Sequence, residues 1–288
     1  CSDPTTVAMR GELRVGMVGF GAMGRGVATA LVDGRAGDAA LVAVLVRDIS
    51  SYRGVEDACV ETLVRDRRVV FTDDPDGFFA AGPDLVVEVA GQNAVRQYGA
   101  RVLAAGHDLM VASIGAFTDD ALYDELRRLA CTGGGRLLLI AGALPAVDWM
   151  QAAADAPVRE VTITQTKPVT SWLGTPADEM AALRGRDAAV CFFEGTARDA
   201  AATFPKSSNI TAMLALATVG LDATRVRLVA DPSRKRMHTR IDFDGEAGAV
   251  SITWEGKPSK TNPSTSADVS LAVIKAIRVV TAPIVFGV

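Results

Sequence analysis

The sequence predicts an α/β fold, a doubly wound parallel sheet, followed by a second α+β domain that carries an open mixed or antiparallel sheet. Three observations carry this expectation. Gly19, Gly21 and Gly24 are spaced G-x-G-x-x-G directly after the apolar run Leu13–Val18 and directly before the helix-like run Met23–Leu31. From there to about Ile140, short β-branched runs alternate with segments of helical period. After about Gly142, strand-like runs crowd together with fewer helices between them.

The first strand, read at Val15–Val18, enters the glycine turn. The first Gly permits the turn, the second lets the backbone approach phosphates, and the third lets helix and strand pack closely. Free N–H groups at the helix start then face a pyrophosphate. This is the pattern of a Rossmann-type dinucleotide-binding domain, so Gly19, Phe20, Gly21, Ala22, Met23 and Gly24 form the expected phosphate loop, with NAD or NADP as cofactor. Further strands are expected at Leu41–Val46, Val69–Phe71, Leu85–Val89, Leu109–Ala112 and Leu137–Ile140, and helices at Asn93–Ala104 and Ala121–Ala130. The nearly continuous apolar character of these strands suits burial on both faces of a parallel sheet.

In the second half, strands are expected at Val158–Thr166, Arg225–Val229, Ile241–Phe243 and Val250–Trp254, with Asp244-Gly245 as a hairpin turn. An apolar helix is expected at Thr211–Val219, with Ser207 or Ser208 placed to cap it. Ser266–Thr281 has helical period, with Thr265 or Ser266 as its N-cap and Pro283 past its end. The resulting division is a polar tail over residues 1–11, a dinucleotide-binding domain over 12–141, a substrate and catalytic domain over 142–264, and a C-terminal helical segment over 265–288 that packs back on the first domain.

Composition narrows the function classes. The 288 residues suffice for two domains, and 49% hydrophobic with 22% charged residues is the profile of an ordinary globular protein. A formal charge of −4 arises from interspersed signs, so neither a nucleic-acid nor an anionic-membrane partner is expected. The four cysteines lack C-x-x-C spacing, which argues against a zinc site and a disulfide framework and for reduced thiols in the cytoplasm. No charged-then-apolar leader precedes the first strand, and no apolar run approaches the roughly 20 residues of a membrane span.

Candidate chemistry follows from position. At the end of the second strand, Asp48 is placed to bond the ribose 2′-OH of NAD and Arg47 to neutralise the extra phosphate of NADP; the order of the two leans toward NADP tolerance. Ala90 and Gly91 after the fourth strand, and Ser113 after the fifth, border the crevice at the carboxyl ends of the strands. Of the two histidines, His107 falls at the opposite rim of the sheet, whereas His238, flanked by Arg236 and Arg240, stands near a strand of the second domain that can face the crevice. Neighbouring cations favour neutral imidazole, the form that accepts a proton. Asn209 can donate to a nicotinamide carboxamide or a substrate oxygen. Lys167, Lys206, Arg240 and Lys257 are the cations available for an acidic substrate.

Several ordered segments resemble the L-aspartate dehydrogenase family: Val158-Arg159-Glu160 through Lys167-Pro168, Gly174-Thr175-Pro176-Ala177, Phe193-Glu194-Gly195-Thr196-Ala197, Phe204-Pro205-Lys206 with Asn209, and Ala230-Asp231-Pro232 with His238. The similarity extends from the glycine loop to the Thr265-Ser266 helix start. It implies NAD(P)-dependent oxidative deamination of L-aspartate to iminoaspartate, or the reverse amination, in a homo-oligomer, expected to be a dimer, that serves amino-acid metabolism and NAD biosynthesis. It further implies that His238 matches the catalytic His and that Ala143 and Asn209 match nicotinamide-cofactor positions. Two departures stand out: Arg236 where the family often has Asn, and Gly142-Ala143-Leu144-Pro145-Ala146-Val147-Asp148 in place of a glycine-rich segment. The rival readings are an NAD(P)-dependent dehydrogenase or imine reductase acting on another amino or keto acid, and a non-catalytic NAD(P)-binding sensor.

Overall fold

A computed structural model describes residues 12–52, 58–181, 183–257 and 267–286. The expected tail over 1–11 and the caps Thr265 and Ser266 lie outside the described residues.

The first half alternates strand and helix: β1 (Leu13–Val18), α1 (Ala22–Val32), β2 (Ala39–Leu45), the short turn of helix α2 (Ala58–Glu61), β3 (Val70–Thr72), α3 (Pro75–Ala80), β4 (Leu85–Glu88), α4 (Gln92–Ala104), β5 (Asp108–Val111), α5 (Asp120–Gly133) and β6 (Leu137–Leu139). The strands form one six-stranded sheet in the order β3-β2-β1-β4-β5-β6, and every pair is parallel. Both faces are covered, which is why Val15, Met17, Val44, Leu85, Val86, Val87 and Val111 are all fully buried. The order reverses at β1, the geometry that opens a ligand crevice at the carboxyl ends of the strands.

The second half contains α6 (Val147–Ala153), β7 (Val158–Lys167), α7 (Pro176–Ala181), β8 (Val190–Thr196), α8 (Ala197–Thr203), α9 (Asn209–Ala217), β9 (Arg225–Ala230), β10 (His238–Gly245) and β11 (Gly248–Glu255). These strands form a mixed sheet in the order β11-β10-β7-β9-β8, with only β7 and β9 parallel. Period-2 alternation gives the sheet two unlike faces. Val161, Ile163, Val226, Leu228, Ile241 and Phe243 are buried in one cluster with Trp172, Phe204, Leu214 and Ala215. Arg225, Arg227 and Arg240 alternate with them on the opposite, solvent-facing side.

The last helix, α10 (Ala267–Thr281), returns to the first sheet, where Val273, Ile274 and Ile277 are buried in the same cluster as Val27, Ala28 and Leu31 of α1. Among the described residues no helix is long and apolar enough to cross a membrane.

Two details depart from the sequence reading. The hairpin turn is Glu246-Ala247, because Asp244 and Gly245 pair with Ala249 and Gly248 inside the ladder; Gly248, at φ 136°, supplies the conformation the turn needs. Strand β8 was not among the expected strands: a bulge between Cys191 and Phe193 interrupts its alternation, and its burial pattern has no clean period.

Candidate active site

The crevice is built from strand ends that share one line. Val18 pairs with Leu45 on one side and Glu88 on the other, and Val111 pairs with Glu88 and Leu139, so the loops after β1, β2, β4, β5 and β6 leave the sheet along a single edge. Gly19 turns at φ 101°, and a Cβ there would strike Ala90 at 2.8 Å. A Cβ on Gly24 would collide with the Gly19 carbonyl oxygen, so the third glycine is required by helix–turn packing. Gly21 differs. Its φ of −76° suits any residue and a Cβ would meet nothing within 4 Å, so no contact inside the protein demands glycine there. The surface beside Gly21 is bare, and α1 starts at Ala22 with Gly21 as an N-cap that makes no side-chain bond, leaving the first turn of the helix without a side-chain cap. Gly91 caps α4 in the same manner, with φ 135° and open space around it. Two bare helix starts on one crevice suit a pyrophosphate and its adjoining ribose.

Around this loop, Phe20, Tyr52 and Phe71 pack edge-on with centroids 5.1 to 6.0 Å apart, and the Arg25 guanidinium lies 4.8 Å over the Phe20 ring. Ala22 and Met23 form the first turn of α1. Arg47 and Asp48 are both exposed at the end of β2, and Asp48 Oδ1 accepts from the Ser50 amide at 2.8 Å.

Glu88 is 2% exposed at the end of β4. Its Oε1 accepts from the amides of Ala90 (2.8 Å) and Gly91 (2.7 Å) and from Ser113 Oγ (3.0 Å), and its Oε2 accepts from the Ser113 amide (3.1 Å). The Ser113 hydroxyl is thereby turned toward Glu88. Burial pushes the Glu88 carboxyl above its ordinary pKa, while these donors pull it back.

The second half reaches this edge through residues 205–209. Gln92 Nε2 donates to the Pro205 carbonyl (3.1 Å) and to Ser208 Oγ (3.2 Å), and the Gly115 amide donates to Asn209 Oδ1 (2.9 Å). Ser208 occupies the N-cap position of α9 without capping it, since its hydroxyl donates to the Pro205 carbonyl instead. The helix therefore begins at Asn209, earlier than the sequence reading placed it. Asn209 sits at the junction with its oxygen engaged by Gly115.

Behind that segment stands the end of β7. Gln165, buried, donates from Nε2 to Thr211 Oγ1 at 2.8 Å. Lys167 Nζ donates to Ser207 Oγ at 2.9 Å and lies 4.5 Å over the Trp172 ring. Burial lowers the Lys167 ammonium to a pKa of about 8.

His238 opens β10, half-buried, paired with Thr166 on β7 and Glu255 on β11. It is thus one strand spacing from the residue preceding Lys167. Alternation sends His238 and Thr166 to the solvent-facing side of the sheet, and Lys167 and Gln165 to the helix-covered side. His107 precedes β5 at the far rim, stacked on Phe79.

The remaining residues divide. Ala143 lies in the turn after β6, where the Leu144 amide bonds the Ala141 carbonyl at 3.0 Å, on the same edge as the other crevice loops. Arg240 lies on the same exposed face as His238, two residues farther along β10, where its guanidinium bonds Asp242 at 2.7 and 2.8 Å. Lys257 is exposed beyond β11, and the side chain of Lys206 lies outside those described. Sequence reasoning did not single out the side chains of Glu88, Gln92, Gln165 or Trp172. Only Glu88 left a readable sign, a carboxylate closing the apolar run Leu85-Val86-Val87.

Comparison with known proteins identifies both halves of the chain. Residues 19–139 match the model of the homoserine dehydrogenase NAD-binding domain, and residues 148–280 match the C-terminal domain of aspartate dehydrogenase. The L-aspartate dehydrogenase of Brucella anthropi is 36% identical over 91% of this chain and 94% of its own length. That of Cupriavidus taiwanensis is 36% identical over 92% and 96%. Among solved structures, aspartate dehydrogenase from Thermotoga maritima superimposes with a TM-score of 0.69 at 21% identity, covering 95% of this chain and 99% of that one. An amine dehydrogenase from Mycobacterium smegmatis shares the fold with a TM-score of 0.57 at 14% identity. With both halves matched in order and a third of its residues shared with relatives of equal length, the chain belongs to the L-aspartate dehydrogenase family.

Proposed function

We propose that this protein is an NAD(P)-dependent L-aspartate dehydrogenase, converting L-aspartate and water to oxaloacetate and ammonium, or running the amination in reverse. The observation that carries the reading is the bare glycine edge at Gly21 and Gly91, joined through residues 205–209 to the half-buried cation Lys167. The bound dinucleotide supplies the acceptor for the hydride that leaves the substrate Cα.

The chain's own residues supply position and proton transfer. Ala22 and Met23 offer the first turn of α1 to the pyrophosphate, with Gly19, Phe20, Gly21 and Gly24 shaping the turn. Ala90, Gly91, Ser113, Ala143 and Asn209 border the nicotinamide half. Arg47 and Asp48 flank the adenosine ribose, and Arg47 favours NADP. Lys167, oriented by Ser207 and Trp172, pairs with a substrate carboxylate. His238 accepts the proton from the substrate ammonium, and later that of the water that adds to the imine. Holding donor carbon and acceptor together supplies much of the acceleration.

The test is His238→Ala. Turnover of aspartate should fall by about a thousandfold, the scale of a lost general base, while NADP affinity stays within a small factor. Turnover near the parent value refutes the role. A panel of amino and keto acids assayed with both cofactors separates aspartate from the rival substrates, and binding of cofactor without turnover of any of them would favour the sensor reading.

We further take the protein to act as a homodimer in the cytoplasm. The exposed thiols of Cys131 and Cys191 suit a reducing compartment, and sedimentation of the purified protein checks the dimer.

A further inference from the structure

We propose that Glu88 is a positioning residue that sets the shape of the cofactor crevice, holding the loops after β4 and β5 together with one carboxylate. The inference rests on the reading of the crevice as a nicotinamide-dinucleotide site.

The geometry is specific. Glu88 closes a strand whose four positions are all buried, and it lies between Val18 and Val111 on the line where the crevice loops begin. Its two oxygens collect four donors, two from Ala90 and Gly91 and two from Ser113. A buried carboxylate is costly unless fully bonded, and here the bonds all go to the turns that face the ligand rather than to the body of the fold.

The influence of Glu88 extends to two further parts. Ala90, which it anchors, is the residue against which Gly19 packs, with no room for a Cβ between them. The phosphate turn therefore leans on a loop that Glu88 holds. On the other side, Ser113 is followed by Gly115, whose amide bonds Asn209 of α9. Through Ser113, Glu88 steadies the segment that meets the second half of the chain. Gly91, at φ 135°, adopts a backbone conformation open to glycine alone, and the 2.7 Å bond from its amide to Glu88 selects it.

Glutamine is nearly the same size but presents one acceptor and one donor. With its oxygen facing Ala90 and Gly91, its NH2 opposes the Ser113 amide, so Glu88→Gln breaks the Ser113 amide bond and keeps the other three, whereas Glu88→Ala releases both loops. Two readouts on the full-length protein test this: backbone amide exchange of residues 89–92 and 112–116 without ligand, and calorimetric titration with NADP and NAD. In Glu88→Gln the Ser113 amide should exchange at least tenfold faster, with Ala90 and Gly91 still protected, and the cofactor Kd should rise about tenfold. In Glu88→Ala all three amides should lose protection, and the Kd should rise about a hundredfold. Should both variants fail to fold, Ser113→Ala, which removes one of the four donors and no charge, should still weaken the cofactor two- to fivefold.

A purely structural Glu88 would lower the unfolding temperature and leave Kd within twofold of the parent in the folded variants, and that result overturns the proposal. So would unchanged exchange at Ser113 in Glu88→Gln. If the parent protein binds neither NADP nor NAD, the reading of the crevice fails instead, and amide exchange alone then judges Glu88.

Discussion

Replacing Lys167 with Met should make the protein more stable and less active at once. The ammonium is buried beside Trp172, and a fall from its ordinary 10.5 to about 8 corresponds to about 3 kcal/mol of cost for holding the charge at neutral pH. Methionine fills a similar volume without that charge. It forfeits the bond to Ser207 and the cation–ring contact with Trp172, worth about 1 kcal/mol each. The net gain is therefore about 1 kcal/mol at pH 7, a rise of roughly 1–2 °C in melting temperature for a chain of this size.

The sign with pH follows from proton counting. Between about 8 and 10.5 the unfolded chain holds a proton on this lysine that the folded chain has released, so the parent gains stability as pH rises through that window. The advantage of the variant must shrink across that window, as the charge penalty and the cation–ring contact vanish together and only the lost bond to Ser207 remains. Thermal unfolding of both proteins at pH 7.0, 8.0, 9.0 and 9.5 measures this. At pH 7 the KM for aspartate should rise by tenfold or more with cofactor affinity unchanged, as expected for a lost charged bond to a carboxylate. A variant less stable than the parent at pH 7, or a difference that does not move with pH, refutes the argument that the cation is held at a cost.

Two other perturbations address the scaffold. Gly21→Ala should leave the melting temperature within a degree or so, because its Cβ would meet nothing, yet weaken NADP binding by about tenfold in a titration, since the proposed site has the phosphates approach through that space. Gly24→Ala, whose Cβ collides with the Gly19 carbonyl, should instead destabilise the fold by about 1–3 kcal/mol in urea unfolding. Ile277→Ala removes a fully buried side chain of α10 and should cost about 2–5 kcal/mol; a cost below about 1 kcal/mol would mean that the last helix contributes little to the first sheet.

The first half of the chain was legible because its information is local. Uninterrupted apolar runs such as Leu85-Val86-Val87 mark strands covered on both faces, and the glycine spacing marks a turn whose third glycine packs directly against its first. The second half was read less completely for the same reason. Strand β8 is bulged, so its period is broken, and the hairpin turn took its conformation from Gly248 rather than from the Asp-Gly pair that resembles a turn signal. The candidate site was legible only as a set of residue types at strand ends. Arg240 and Lys167 look equally available in the sequence, and only folding pairs the one with Asp242 on the exposed face and sets the other against Ser207 and Trp172.

Sequence alone determined the strand–helix alternation of the first half, the crevice-forming glycine turn and the resemblance of the chain to its family, since periodicity, turn chemistry and motif order are properties of neighbouring residues. Tertiary structure alone decided which polar groups matter. Glu88 became the holder of two loops through partners up to 25 positions away, and Gln92 met Ser208 across 116. Lys167 acquired its lowered pKa from burial beneath Trp172. Strand register, finally, set His238 beside Thr166 and on the face opposite Lys167. Burial and pairing between distant segments are created by folding, and no local pattern records them.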